Sequence, residues 1–266
     1  MNAGPSAPSH PPTVLVTGGA SGIGLATALA LGGMGMTVYV GGRREAQGRL
    51  AVESLRQAAI DGRYVQIDVR DSASVAMAFA RIADASGTLD ILVNNAGVDC
   101  VGAVDELAES QWDDCFDTNL KGAFLCSRAA IPLMRSAGGG VIINNASNAG
   151  LVARANEPAY SAAKAGLVML TRSMALAYAA DRIRVNAVCP GPVARTGIMD
   201  RNLRSAVDPA AAAAGYIARA PLAAAYGRMI EPEEVAALVA YLCSDAATMI
   251  TGAIIPIDAG KSAGPG

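Results

Sequence analysis

From Thr13 onward the apolar positions alternate between two patterns. Short runs rich in β-branched residues, Thr13 to Thr17, Thr37 to Val40, Tyr64 to Ile67, Asp90 to Asn94, Val141 to Asn145, Arg184 to Val188 and Ala253 to Ile257, read as seven strands. Their near-continuous apolarity is that of parallel strands covered on both faces. Between them stand longer helical stretches: Ile23 to Leu31, Glu45 to Ala59, Ser72 to Ala85, about Gln111 to Arg135, Pro158 to Ala180 and Pro232 to Cys243. This alternation predicts an α/β fold, a single doubly wound Rossmann-like domain over 13–266 with a seven-stranded parallel sheet and helices on both faces. In such a fold ligands sit at the carboxyl ends of the strands.

One predicted helix has no polar face. Between Pro158, suited to a first helical turn, and Ala180 only Lys164 and Arg172 carry charge. A helix apolar on every side is covered by its own sheet and by something else. The expectation is a homo-oligomer, a tetramer, with this helix and the long one before it forming an interface. On the same helix Tyr160 and Lys164 stand at i and i+4, one turn apart on one side, so a phenol and an ammonium address the same small molecule. A second irregularity runs from Pro190 to Glu231, a segment with P-G-P, an alanine run and no strand. Long excursions inside a compact domain are more often functional than idle, and this one is expected to be a substrate lid over about 191–230.

Composition narrows the function. Of 266 residues 52% are hydrophobic and 17% charged, and the net charge of -2 comes without a run of Lys or Arg, which disfavours nucleic acid or an anionic membrane as partner. The five cysteines are widely spaced and never C-x-x-C, so they read as buried small hydrophobes, with no disulfide framework and no metal site. The only histidine, His10, lies in the Pro-rich opening 1–12, expected to be a disordered tail. Ser/His/Asp hydrolases, Cys/His enzymes and His-ligated metal sites are thereby disfavoured together. The tail has no signal-peptide pattern and no membrane-length apolar stretch follows, so a cytoplasmic location is expected.

Directly after the first strand, T-G-G-A-S-G-I-G presents Gly18, Gly22 and Gly24, where the backbone turns tightly and a helix N-terminus meets a pyrophosphate. N-N-A-G supplies Asn95, Ala96 and Gly97 at the end of the fourth strand. The second strand ends in Gly41-Gly42-Arg43-Arg44, with no carboxylate where one would hold a ribose 2′-hydroxyl. Arg43 and Arg44 offer a permanently charged fork for a 2′-phosphate, so NADP(H) is preferred. NAD(H) is the alternative, with Glu45 reaching a ribose.

Taken in order, T-G-x-x-x-G-x-G at Thr17 to Gly24, N-N-A-G at Asn94 to Gly97, Asn119 in D-T-N-L-K-G, Ser147 in N-N-A-S, Tyr160-x-x-x-Lys164 and Pro190-Gly191 make the chain resemble the short-chain dehydrogenase/reductase family. The likeness runs from Thr13 to about Gly260. It implies an oxidoreductase interconverting a ketone and a secondary alcohol, similar to ketoacyl and polyketide ketoreductases. The alternatives are an NAD-dependent alcohol, steroid or sugar dehydrogenase, and a catalytically silent nucleotide-binding protein on the same fold. By the resemblance Tyr160 is the acid/base, and Lys164 tunes it and holds the nicotinamide ribose. Ser147 polarises the substrate oxygen and Asn119 supports a water leading to Lys164. Ile23 lines the nucleotide site, Asp68 and Val69 contact the adenine, and Val193 lies near the nicotinamide. Ser21 sits where some NADP-preferring relatives carry a second basic residue. In one departure from the family's pattern, Arg195 occupies the usual threonine position after Pro190-Gly191, and Thr196 follows it. A bulged loop would let Thr196 reach the carboxamide. Asp99, Cys100, Ala149, Leu151, Pro192 and Met199 are the expected substrate-lining residues, and the substrate is a small carbonyl or alcohol.

Overall fold

The computed structural model describes residues 11–264, so His10 and all but the end of the 1–12 tail lie outside the described residues. Seven strands, β1 (Thr13–Thr17), β2 (Thr37–Gly42), β3 (Gly62–Gln66), β4 (Ile91–Asn94), β5 (Gly140–Asn145), β6 (Ile183–Pro190) and β7 (Ile254–Ile257), form one sheet in the order β3-β2-β1-β4-β5-β6-β7. Every pairing is parallel.

Each strand divides its apolar residues between two cores, because successive side chains point to opposite faces. Val14 and Val16 of β1 pack with Val38 and Val40 of β2 against α1 (Gly22–Gly32), α2 (Glu45–Gln57) and α10 (Pro232–Cys243), where Leu31, Leu55, Val235 and Leu242 are buried. Leu15 and Tyr39 face the other way, toward Phe79 and Ile82 of α3 (Ser72–Ser86), Leu125 and Met134 of α5 (Gly122–Ser136) and Met174 of α6 (Pro158–Tyr178). With both faces covered, the strands have no polar face to alternate with the apolar one.

The predicted unbroken helix from Gln111 to Arg135 is interrupted. α4 (Glu109–Phe116) gives way to a π-helical turn, Asp117–Lys121, before α5 begins. Asn119 accounts for the break. Its side-chain amide donates to the Cys115 carbonyl at 2.9 Å, the acceptor its own backbone N–H would use in a regular helix.

The excursion after β6 holds three short helices, α7 (Gly197–Ser205), α8 (Pro209–Ala218) and α9 (Pro221–Tyr226). Its two feet are tied: Val193 bridges Ile230, with Ala194 N–H donating to the Ile230 carbonyl at 2.8 Å. α6 buries one side on the sheet and leaves Met169 and Leu176 exposed, the latter at 85%. All five cysteines are free and buried. Among the described residues no helix is long and apolar enough to cross a membrane.

Candidate active site

Strand order reverses between β1 and β4, and the connections leaving them diverge around a cleft of about 390 Å³. At its floor the turn after β1 needs glycine for different reasons at different positions. Gly18 and Gly22 have φ of 62° and 52°. At Gly24 a Cβ would stand 2.2 Å from the Gly18 carbonyl oxygen. Asn95 pins this turn to β4, its amide donating to the carbonyls of Thr17 at 3.0 Å and Gly18 at 3.1 Å. Asn145 of β5 in turn donates to Asn95 at 2.8 Å. At the start of α1, Ser21 makes no side-chain cap and the first turn holds no acid. Its leading N–H groups therefore face the cleft without a carboxylate or hydroxyl to satisfy them, which fits a pyrophosphate.

The far end of the cleft is basic. Arg43 and Arg44 line it beyond Gly41 and Gly42. Glu45, which follows Arg44, is engaged by Arg49 at 2.6 Å. Arg70 grips Asp68 at 2.7 Å and holds its carboxyl below the ordinary carboxylate range, with the more distant Arg43, 4.0 Å away, adding to the effect. The set fits the adenosine end of a dinucleotide.

The catalytic candidates meet at the other end. Ser147 is buried and caps a short 3-10 turn, Asn148–Gly150, accepting from the Ala149 N–H at 3.1 Å. It lines the cleft together with Tyr160, which sits in the first turn of α6. Lys164, buried one turn on, donates to the Asn145 carbonyl at 2.9 Å and lies 5.7 Å from the centre of the Tyr160 ring. Asn119 is held from both sides of its amide, donating to the Val98 carbonyl at 2.8 Å and accepting from the Val98 N–H at 3.3 Å. Gly97 packs over both: a Cβ there would be 2.9 Å from Asn119 Oδ1 and 3.6 Å from Lys164 Nζ.

Burial acts oppositely on the phenol and the ammonium, since desolvation disfavours whichever form is charged. It pushes Tyr160 up to about 12, the nearby Ser147 hydroxyl and the Arg154 charge opposing it only in part. It pushes Lys164 down to about 8. The Lys164 ammonium is turned to a backbone carbonyl, and burial is the largest influence on the phenol.

The short chain dehydrogenase family model matches residues 12–207. The chain belongs to the short-chain dehydrogenase family. It is 42% identical to a cis-4-hydroxycyclohexanecarboxylate dehydrogenase of Sinomonas cyclohexanicum, over 94% of this chain and 96% of that one. It is 35% identical to a 3-oxoacyl-(acyl-carrier-protein) reductase of Staphylococcus aureus, over 93% and 97% of the two chains. Among solved structures, an actinorhodin polyketide ketoreductase with NADPH superposes with a TM-score of 0.90 at 34% identity, covering 95% of this chain and 97% of that one. Like its relatives, this short-chain dehydrogenase is an oxidoreductase acting on alcohol or carbonyl groups.

Within this family member, the catalytic and cofactor-binding residues singled out from the sequence lie along this cleft, except Asn119, which stands behind its wall. Gly18, Ser21, Gly22, Ile23, Gly24, Asn95, Ala96 and Gly97 line the floor, and Arg43, Arg44, Asp68 and Val69 line one end. Ser147, Tyr160, Lys164, Pro190, Gly191, Val193 and Thr196 line the other. Arg195 takes a left-handed φ of 53°, which turns its guanidinium out to Glu231 at 2.9 Å and Glu233 at 2.6 Å. Thr196 is thereby swung inward, its methyl 3.2 Å from where a Cβ on Gly22 would be, so the bulge takes up the extra residue. Of the expected substrate-lining residues, Asp99, Pro192 and Met199 are on the cleft wall, whereas Cys100 and Ala149 are buried behind it and Leu151 faces solvent. Arg154 and Glu157, also on the wall, were not singled out from the sequence. Their signal was present: a charged pair in a loop bounded by Ser147 and Tyr160 has little choice but to lie near both.

Proposed function

We propose that the protein is an NADP(H)-dependent oxidoreductase moving a hydride between the nicotinamide and a carbonyl or secondary alcohol, with Tyr160 as acid/base. The observation that carries this is the convergence of Ser147, Tyr160 and Lys164 on the cleft floored by the glycine turn. Bound nicotinamide supplies the hydride in one direction and accepts it in the other. The protein's part is to hold and move the proton. Ser147 donates to the substrate oxygen and polarises it. Tyr160, protonated across the physiological range, gives its proton to the oxygen as that oxygen becomes an alkoxide. The phenolate left behind, near 12, outcompetes the Lys164 ammonium, near 8, for a proton, so resupply from the lysine side runs downhill. Asn119, by this reading, fixes the geometry of that supply route, and Lys164 also holds the nicotinamide ribose.

The Arg43–Arg44 end, with Glu45 engaged elsewhere, supports the 2′-phosphate preference. The residues from Thr13 on form one dinucleotide-binding and catalytic domain in this reading, with the excursion of about 191–230 as its lid. The functional unit is a homotetramer joined in part through α5 and α6. Steady-state kinetics on a panel of ketones and secondary alcohols with each nicotinamide cofactor test the proposal, NADPH being expected to give the higher kcat/KM. Arg43→Ala is expected to weaken NADPH binding by about 1.5–3 kcal/mol, the scale of a charged hydrogen bond, and to leave NADH nearly untouched. Equal losses, or wild-type preference for NADH, overturn the cofactor assignment.

A further inference from the structure

We infer that the ion pair between Asp99 and Arg201 is a latch: it holds α7 and α8 closed over the cleft and breaks whenever cofactor enters or leaves. The latch rests on reading the excursion of about 191–230 as a lid, and names the contact that governs it. Asp99 belongs to the body of the molecule, two residues beyond Gly97, the glycine that packs over Asn119 and Lys164. Arg201 belongs to α7, two residues beyond the buried Met199, and both members of the pair line the cleft. Its guanidinium donates to the Asp99 carboxylate at 2.9 Å, joining positions 102 residues apart in the chain.

The way the rest of the lid is held gives this one contact its weight. The feet are fixed, Val193 bridging Ile230 while Arg195 pairs with Glu231 at 2.9 Å and Arg228 with Glu234 at 2.8 Å. α9 is fastened at its start, where the Leu222 N–H donates to the Ala259 carbonyl at 3.0 Å. Between these points the hold is slight. α7 buries Met199 alone, and α8 buries no residue. Among the described residues, Arg201 to Asp99 is the one hydrogen bond or ion pair that joins either helix to the chain outside the lid.

A segment with few buried apolar contacts opens at low free energy, so a single charged contact is a large share of what keeps it shut. The pair is also suited to being broken repeatedly. The Asp99 side chain is 18% exposed and that of Arg201 53%, so the contact lies at the edge of the cleft and not in its depth. On opening both ions regain water, and the hydration they recover offsets much of the lost attraction.

Amide hydrogen exchange of the cofactor-free protein and stopped-flow release of NADPH from the holoenzyme test the latch. Arg201→Gln and Asp99→Asn should each speed exchange in α7 and α8 by about 3- to 10-fold, between the scales of an exposed ion pair and a charged hydrogen bond, and leave the sheet unchanged. NADPH release should quicken by a similar factor. Because both substitutions break the same contact, the double variant should be no faster than either single one. Arg204→Gln removes a charge from an exposed residue of the same helix that forms no ion pair with any described residue, and should leave both rates at the wild-type level. Exchange or release unmoved by the two substitutions, additive effects in the double variant, or equal acceleration by Arg204→Gln overturns the latch and leaves the lid standing. Wild-type exchange in α7 and α8 that NADPH binding does not slow overturns the lid as well.

Discussion

Tyr160 and Lys164 differ in how they meet the chemistry asked of them. In the proposed mechanism the phenol reaches the oxygen of the substrate, whereas the ammonium acts behind it, so removing each is expected to leave a different defect. Tyr160→Phe deletes one oxygen and keeps the ring packing against the α4 side of the molecule, where Cys115 and Ala159 are buried. It is expected to lower kcat by about 10²–10⁴, the range of general acid catalysis, with cofactor affinity and thermal stability near wild type. Retention of most of kcat in stopped-flow or steady-state assays would remove Tyr160 from the mechanism. Lys164 sets a pH dependence whose sign follows from its lowered value of about 8. Below that value the ammonium is present and resupplies the phenolate, so reductive turnover holds level; as pH rises through about 8 the proton is lost and reductive kcat falls. The same depression bears on stability. Between about 8 and the ordinary lysine value of 10.5 the unfolded chain binds more protons than the native one, so the cofactor-free protein gains stability with rising pH across that window. A pH–rate profile for ketone reduction and a pH series of thermal melts check the two halves; a reductive limb that rises through pH 8 contradicts the first.

At the scale of elements, the glycine turn and the helix it opens work as one part. The close approach at Gly24 is to backbone, the Gly18 carbonyl, and not to a side chain that can swing away. Gly24→Ala must therefore displace the turn that Asn95 holds against β4, at a cost of about 1–3 kcal/mol in stability, and cofactor affinity should fall by an order of magnitude or more because the α1 N–H groups move with it. Calorimetric titration with NADPH reads the second effect, and unchanged affinity would detach the turn from cofactor binding. This turn was legible in the sequence, as were the strands and their order of motifs, because each depends on local chemistry: glycine where a Cβ cannot fit, β-branched runs where both sheet faces are covered. The π-helical turn at Asn119 was not legible. Helical periodicity runs through it without interruption, and the break arises from a side-chain amide that competes for the Cys115 carbonyl while reaching Val98 on another element. The left-handed Arg195 was half legible, since the sequence disclosed the extra residue but not that Glu231 and Glu233, far along the chain, would draw it outward.

For the whole molecule, the open question is what covers the outer side of α5 and α6. Phe124 on α5 is 44% exposed, and Met169 and Leu176 on α6 are 57% and 85% exposed. Trp112 on α4, stacked on Phe116 at 4.5 Å, is 41% exposed. Apolar side chains scattered singly over a surface need no explanation, but Phe124, Met169 and Leu176 stand on two helices whose other sides are buried in the same cores. Burying such side chains is favourable by roughly 25 cal/mol per Å² removed from water, enough over a standard interface to outweigh the loss of free tumbling. The protein is therefore expected to be a homotetramer at micromolar concentration, by light scattering or sedimentation. Leu176→Arg together with Met169→Glu, which set charges into the patch while leaving the sheet-facing Leu167, Thr171 and Met174 alone, should dissociate it into smaller species. Because Tyr160 and Lys164 lie on the same helix, dissociation should also loosen the catalytic turn of α6, lowering kcat more than cofactor affinity. A monomeric mass for the wild type, or a tetramer indifferent to both charges, would mean that α5 and α6 are not where the subunits meet.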